Sequence, residues 1–267
     1  MMRPAVLTIA GSDSGGGAGI QADLKTFQAF GVHGASAITA ITAQDSRAVT
    51  SVLTLPDDIV EAQIDAVMRD LAPGVVKLGM LGNARMVELV ARKLDEWKPG
   101  SVVLDPVMIA SSGDSLLEED AIEAVRTLLL PRASLVTPNW HEAGALIHAW
   151  PRGTEDIERI VISLQRLGAT AVLIKGGHLE GDPVLDTLYE AGQYSEFRHP
   201  RIPDAEGHGT GCTLASAIAA GLALGRSMKD SCATAADFVH QALADRYATG
   251  NSRQVYLDIR QQNRSAG

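Results

Sequence analysis

The 267-residue chain is short enough for one hydrophobic core, and its even composition predicts a single domain over residues 1–267. Its formal charge of −9 argues against nucleic acid or an anionic membrane as a partner, because both would repel it. No apolar run approaches the roughly 18 residues of a membrane span, and two cysteines are too few for a disulfide framework or a zinc cluster, so we expect a cytoplasmic protein.

Short β-branched runs alternate along the chain with amphipathic segments of helical length. The runs are AVLTIA from residue 5, ASAITAI from 35, VVKLGM from 75, SVVLDP from 101, SLVTP from 134 and AVLIKGG from 171. We interpret them as buried parallel strands, with helices such as PDDIVEAQIDAVMRDL between them. The alternation predicts an α/β fold, and it favours a doubly wound sheet with helices on both faces over a closed barrel.

From residue 184 the pattern changes. The runs VLDTLYEAG and QYSEFRH flank Gly192 and predict an antiparallel hairpin at a sheet edge. Two helices are then expected, Gly211 to Leu224 and Ser227 to Arg246. The polar tail from about residue 249 is expected to be peripheral or frayed.

The first candidate for chemistry is the glycine-rich segment GSDSGGGAGIQADLKTF, which follows the first strand. Glycines let a backbone approach a ligand closely, but a flexible turn is the structural alternative. A dinucleotide fingerprint is also possible, because Gly17, Gly19 and Ala22 satisfy G-x-G-x-x-G/A, although such a turn should follow its strand at once. A Walker A sequence is absent, since Leu24 and not glycine precedes Lys25.

A second glycine-rich segment, HGTGCTLASAIAAGLALG, begins at His208. Gly209, Thr210 and Gly211 open a long helix of small residues, whose exposed N–H groups and positive dipole end would bind an anion. A glycine turn that simply enters a helix is the alternative.

Three charged residues stand at predicted strand ends: Asp105, Glu142 and Lys175. The carboxyl ends of strands are where open α/β sheets bind ligands, so these side chains are expected to face one crevice. The carboxylates could hold Mg²⁺ directly or through water, and the lysine could balance phosphate charge. Each residue alone could equally be a helix cap or a solvated charge. The histidines show no metal-ligand spacing, so we expect no zinc site.

Seven motifs resemble, in identity and order, those of the hydroxymethylpyrimidine/phosphomethylpyrimidine kinase family. They are GSDSGGGAGIQADLKTF, TAQDS, KLGML, LDPVM, TPNWHEA, KGGH and HGTGCT, and the resemblance spans about residues 5 to 247. It implies a ribokinase-like fold and a homodimer. It also implies Mg²⁺-dependent transfer of the γ-phosphoryl group of ATP to 4-amino-5-hydroxymethyl-2-methylpyrimidine and then to its monophosphate, in thiamine biosynthesis.

The resemblance assigns the pyrimidine site to four residues. Gln44 would recognise the ring, because its amide can accept from the 4-amino group while donating to the adjacent nitrogen. Gly11, Asp23 and Met80 would line the same pocket, although Met80 by itself is typical of a core residue.

The resemblance also implies the phosphate site. Gly209, Thr210, Gly211 and Cys212 would form the anion hole, with Cys212 as general base. We expect the helix N-terminus to lower the pKa of this thiol, but Cys212 could also be only a small residue tolerated there. The remaining roles are the organisation of Mg²⁺ and phosphates by Asp105, Asn139 and Glu142, and contact with the nucleotide by Lys175.

Three other functions compete with this hypothesis. A pyridoxal-type kinase of the same superfamily acts on a ring of similar shape, but Gln44 suits an aminopyrimidine edge better than a phenolic oxygen. An NAD-dependent oxidoreductase would need the Gly17 loop to hold a pyrophosphate. A non-catalytic pyrimidine-binding protein would need the kinase residues to be idle.

Overall fold

The computed structural model describes residues 2–108, 119–151, 153–177, 181–203, 207–252 and 255–260. Its strands are β1 Ala5–Asp13, β2 His33–Gln44, β3 Val49–Thr54, β4 Val75–Leu78, β5 Ser101–Leu104, β6 Leu135–Val136, β7 Val172–Ile174, β8 Val184–Glu190, β9 Gln193–His199, β10 Gly207–His208 and β11 Val255–Tyr256. Its α-helices are α1 Gly19–Phe30, α2 Asp57–Asp70, α3 Ala84–Trp97, α4 Glu119–Ala124, α5 Trp140–Ile147, α6 Ile157–Arg166, α7 Thr210–Ala223 and α8 Met228–Ala244. A π-helical turn, Val125–Leu129, and the 3₁₀ turns Leu130–Arg132 and Thr154–Asp156 add short helical segments.

One sheet of nine strands runs in the order β3-β2-β1-β4-β5-β6-β7-β8-β9. The central strands from β2 to β7 are parallel, whereas β3 at one edge and the β8–β9 hairpin at the other are antiparallel. The sheet is therefore open, with β3 and β9 at opposite edges. The doubly wound, ribokinase-like fold with an edge hairpin is confirmed, and the barrel is excluded.

The helices cover both faces of the sheet because the strands bury alternate side chains on opposite sides. Leu7 and Ile9 of β1 belong to a core that includes side chains of α2 to α6. Val6 of the same strand belongs to a second core, built with α1, α7 and α8. The helices α7 and α8 begin and end within two residues of the predicted bounds, and the Ser227 side chain caps α8 by accepting from the Asp230 N–H.

Two elements differ from the sequence predictions. The edge strand β3 was not predicted, because its side chains are mostly exposed and show no buried run. The tail is not simply peripheral, because β11 pairs with β10 and Leu257 is buried. Among the described residues, no helix is long and apolar enough to cross a membrane.

Candidate active site

The segments that follow β1, β5 and β7 lie beside the N-terminus of α7, and the carboxyl end of β2 pairs with that of β1. A side chain built on Gly11 would lie 2.7 Å from Met80 Cε, and one built on Gly211 would lie 3.2 Å from Lys175 Nζ and 3.6 Å from Asp105 Oδ2. Gly11 and Met80 of the predicted pocket are therefore neighbours, and so are Gly211, Lys175 and Asp105 of the predicted phosphate site. Both groups follow strand ends, where open α/β sheets bind ligands.

Gln44 stands at the end of β2, half-buried, and its main chain is fixed to the glycine-rich loop. The Ser14 hydroxyl donates to the Gln44 carbonyl at 2.7 Å and accepts from the Gln44 N–H at 2.8 Å. Among the described residues, the side-chain oxygen of Gln44 accepts a single long hydrogen bond, 3.4 Å, from Thr42. Met80 is largely buried, and its carbonyl accepts from the Thr39 hydroxyl at 2.8 Å. The Gln44 amide is thus held near the pocket by its backbone.

Asp23, which the resemblance places at the pyrimidine pocket, is fully buried, and its contact with the substrate stays a prediction. Its carboxylate is fully buried, and each of its two oxygens lies 3.0 Å from Lys77 Nζ. The hydroxyls of Thr8 and Ser216 also donate to it, each at 2.6 Å. A carboxylate with this many donors is already satisfied by the protein.

Lys77 is a site residue that the sequence analysis missed. Burial alone would lower its pKa, but Asp23, and then Cys212 and Asp105, raise the pKa above its ordinary value, so the ammonium stays charged. The available signal was a lysine inside the otherwise apolar run VVKLGM, since a fully buried charge must be paired.

The N-terminus of α7 has the character of an anion site. Gly209 precedes the first turn with φ +83°, and a side chain built there would lie 1.9 Å from the Gly17 carbonyl oxygen, so only glycine fits. No side chain of the described residues caps this helix. The N–H groups of its first turn, from Thr210 to Cys212, are therefore left for a ligand.

The thiol of Cys212 does not have the lowered pKa that we expected. Burial raises its pKa to about 11; Lys77 and the N–H of Gly19 act to lower it, whereas Asp23 and Asp105 raise it further. The pKa is therefore raised and not lowered, because loss of water and the two nearby carboxylates disfavour the thiolate. The role of Cys212 as general base stays a prediction.

Lys175 bridges the two predicted metal-binding carboxylates. Its Nζ lies 2.9 Å from Asp105 Oδ1 and 3.4 Å from Glu142 Oε2. Burial lowers the pKa of Lys175, but Asp105 and Glu142 outweigh burial and raise it. Burial raises the pKa of Glu142, and the nearby Asp105 carboxylate raises it too, whereas Lys175 acts to lower it. The second oxygen of Asp105, Oδ2, is buried without a hydrogen-bond partner among the described residues.

Asn139 and Glu142 also have the structural role that the sequence left open. Asn139 accepts from the Glu142 N–H at 2.9 Å, and Glu142 accepts from the Asn139 N–H at 2.7 Å, which forms a capping box at the start of α5. Within the described part of the chain, no group of three or more acidic, histidine or cysteine side chains could hold a metal. His178 of the KGGH motif lies outside the described residues.

Asp13 occupies the centre of the glycine-rich loop and was also missed. Its carboxylate accepts from the N–H groups of Gly15 at 2.8 Å, Gly17 at 3.0 Å and Ala18 at 2.9 Å, and it pairs with His208 Nε2 at 2.9 Å. An internal carboxylate thus takes the place of a bound phosphate. The dinucleotide interpretation of this loop is therefore wrong, because its donors are already used.

Comparisons with known proteins identify the family of the chain. The family model described as phosphomethylpyrimidine kinase matches residues 13–256. The chain is 46% identical to the hydroxymethylpyrimidine/phosphomethylpyrimidine kinase of Bacillus subtilis, over 92% of this chain and 91% of that protein. It is 44% identical to the thiamine biosynthesis bifunctional protein ThiED of Geobacter sulfurreducens, over 90% of this chain and 49% of that protein.

A solved structure of the pyridoxal kinase from Staphylococcus aureus, in complex with AMP-PCP and pyridoxal, matches with a TM-score of 0.90. The two chains are 34% identical, and the match covers 99% of this chain and 96% of that chain. The family model and these relatives show that the chain belongs to the phosphomethylpyrimidine kinase family.

Proposed function

We propose that this protein is an ATP-dependent kinase of thiamine biosynthesis. It phosphorylates 4-amino-5-hydroxymethyl-2-methylpyrimidine and then converts the monophosphate to the diphosphate. The observation that carries the proposal is the uncapped N-terminus of α7 beside the Lys175–Asp105 pair. The pyrimidine pocket, with Gln44 and Met80, is expected at the same carboxyl-terminal side of the sheet. A phosphoryl group held at the start of α7 would be oriented towards a ring in that pocket, and positioning of this kind is most of what a kinase provides.

The pyrimidine is favoured over pyridoxal as the substrate. Identity to the Bacillus subtilis pyrimidine kinase is 46%, against 34% to the Staphylococcus aureus pyridoxal kinase. The Gln44 amide can both donate to and accept from an aminopyrimidine edge, which pyridoxal lacks. The kcat/KM values for the two substrates, measured side by side, test this choice, and a higher value for pyridoxal would reverse it.

ATP and Mg²⁺ fit the charged residues at the other side of the site. The solved relative bound to AMP-PCP supports a nucleotide donor. Asp105 Oδ2 is a buried, unpartnered carboxylate oxygen among the described groups, and oxygen ligands of this type suit Mg²⁺. Asp105 would hold the ion, with Glu142 acting directly or through water. Bound there, Mg²⁺ would neutralise phosphate charge, while Lys175, and Asn139 at the start of α5, would face the nucleotide.

A homodimer and a cytoplasmic location complete the proposal. The β2–β3 edge exposes apolar side chains that a second copy could cover, with Ile41, Val52 and Leu53 exposed by 46%, 48% and 62%. Light scattering should therefore give twice the mass of one chain, and a monomer would contradict the dimer.

Cys212 and Cys232 are both free thiols, which fits a reducing compartment. Cell fractionation tests the location.

Gln44→Leu should weaken binding of the pyrimidine by about 1–3 kcal/mol, because leucine leaves the polar groups of the ring unpaired. The affinity for ATP should barely change. Calorimetric titration of each substrate measures both effects, and Gln193→Leu, an exposed glutamine in the β8–β9 hairpin, is the control. An unchanged pyrimidine affinity in Gln44→Leu would remove Gln44 from the substrate site.

A further inference from the structure

Three segments that are distant in sequence meet around the carboxylate of Asp13. The glycine-rich loop contributes three N–H donors, from Gly15, Gly17 and Ala18. The β10 segment contributes His208, whose Nε2 lies 2.9 Å from Asp13 Oδ2 with both side chains almost completely buried. An ionised carboxylate only accepts hydrogen bonds, so the histidine is the donor.

The third segment is the C-terminal strand β11, which lies beside β10. His208 pairs with Tyr256 in that small sheet. A side chain built on Gly17 would lie 2.3 Å from His208 Cδ2 and 3.0 Å from Tyr256 Cε1. The loop, the histidine and the tail therefore pack in direct contact.

The same cluster fixes the start of α7. Gly209 follows His208 directly, and a side chain on it would lie 1.9 Å from the Gly17 carbonyl oxygen. The Gly209 carbonyl accepts from the Thr213 N–H at 2.9 Å, which sets the first turn of the helix. Any displacement of His208 would move the N–H groups that follow Gly209.

Charge keeps this arrangement in place at neutral pH. Burial by itself would raise the pKa of Asp13, but the hydrogen bonds from His208, Ala18 and Gly15 outweigh burial and lower the pKa below its ordinary value. The carboxylate is therefore ionised, and charge-assisted hydrogen bonds of this kind are the stronger ones.

We propose that Asp13, acting through His208, is a positioning residue for phosphoryl transfer, which holds the N-terminus of α7 against the glycine-rich loop. The Asp13 carboxylate accepts four hydrogen bonds from the protein and acts without touching a substrate. Gln44 is held by pairing with β3 and by the Ser14 hydroxyl, contacts that do not involve the Asp13 carboxylate, so loss of that carboxylate should affect the transfer step more than pyrimidine binding. This inference rests on the proposed kinase activity.

Asp13→Asn tests the proposal, because the amide keeps the size of the side chain but loses the charge and one acceptor oxygen. We expect the single-turnover rate at saturating pyrimidine and ATP to fall by roughly 10–100-fold, because small misplacements of reacting groups cause losses of this size. Pyrimidine affinity should change much less. The control is Asp65→Asn, which removes a partly buried carboxylate that accepts from Lys93 and Trp97 between α2 and α3. It should lower the thermal midpoint and leave the rate per folded molecule unchanged.

A second pair of variants guards against failure of Asp13→Asn to fold. His208→Ala removes the donor, whereas His208→Gln keeps an N–H that can reach the carboxylate. We expect His208→Gln to recover part of the rate that His208→Ala loses. Wild-type single-turnover rates in Asp13→Asn, or equal rates in the two His208 variants, would overturn the positioning role. An inactive wild-type protein would instead refute the proposed function.

Discussion

Cys212→Ala should slow phosphorylation of the hydroxymethyl group by roughly 10²–10⁴-fold and phosphorylation of the monophosphate much less. The alcohol must lose a proton as its oxygen attacks. The monophosphate is already largely deprotonated near neutral pH, since its second pKa is about 6. Only the first step therefore needs a general base, and the N–H groups at the start of α7 survive the substitution.

The raised pKa of Cys212 adds a pH dependence to this prediction. With a thiol pKa of about 11, the thiolate is the minor form at neutral pH. If it is the base, the alcohol step should speed up about tenfold per pH unit as pH rises through the neutral range. Cys212→Ala should abolish that slope. The monophosphate step, which needs no base, should show no such rise.

Each step is measured with its own substrate at saturating Mg²⁺-ATP between about pH 6.5 and 9. Cys232→Ala is the matched control, because Cys232 is the other cysteine and lies fully buried in α8 among core residues. It should leave the ratio of the two rates unchanged. An unchanged ratio in Cys212→Ala would mean that the thiol is only tolerated beside the anion hole.

Lys77→Met should lower the free energy of unfolding by about 3–5 kcal/mol, as breaking a buried ion pair does. Lys77 and Asp23 are both 0% exposed, and the substitution leaves the Asp23 carboxylate with only the hydroxyls of Thr8 and Ser216. Most of the expected loss of stability comes from the unpaired charge on the buried Asp23 carboxylate, and less from the lost attraction between Asp23 and Lys77. Urea denaturation of the purified variant measures it.

Two variants separate this explanation from a general loss of packing. Arg85→Met breaks a surface pair with Asp57, in which the arginine side chain is 80% exposed, and should change stability by no more than about 1 kcal/mol. Adding Asp23→Asn to Lys77→Met should recover stability, because it removes the stranded charge. A loss below about 1 kcal/mol in Lys77→Met would show that the pair is not a major stabilising contact.

The fold was predictable where burial leaves a continuous apolar run. All four residues of β4 are buried, and the run VVKL indicates a strand although it contains a lysine. The edge strand β3 escaped prediction because it exposes most of its side chains, so its sequence carries little periodicity. The two-residue strand β11 escaped because backbone pairing with β10, and not an apolar pattern, defines it.

The gathering of charged residues at the strand ends was predictable from the sequence, but their individual contacts were not. Asp105, Lys175 and the start of α7 lie together, as the strand-end rule requires. The pairing of Asp13 with His208 spans 195 positions and has no local signature. The pKa of the Cys212 thiol was predicted wrongly for the same reason. The helix N-terminus can be predicted from the sequence, whereas burial and the nearby Asp23 and Asp105 carboxylates depend on the tertiary structure.

The central claim is tested most directly by the release of ADP from Mg²⁺-ATP when 4-amino-5-hydroxymethyl-2-methylpyrimidine is added to the purified protein. A coupled assay follows the release, and the amount of product distinguishes one transfer from two. We expect two ADP per pyrimidine at completion, because the monophosphate is a substrate in turn. No release above the background without pyrimidine would contradict the kinase assignment.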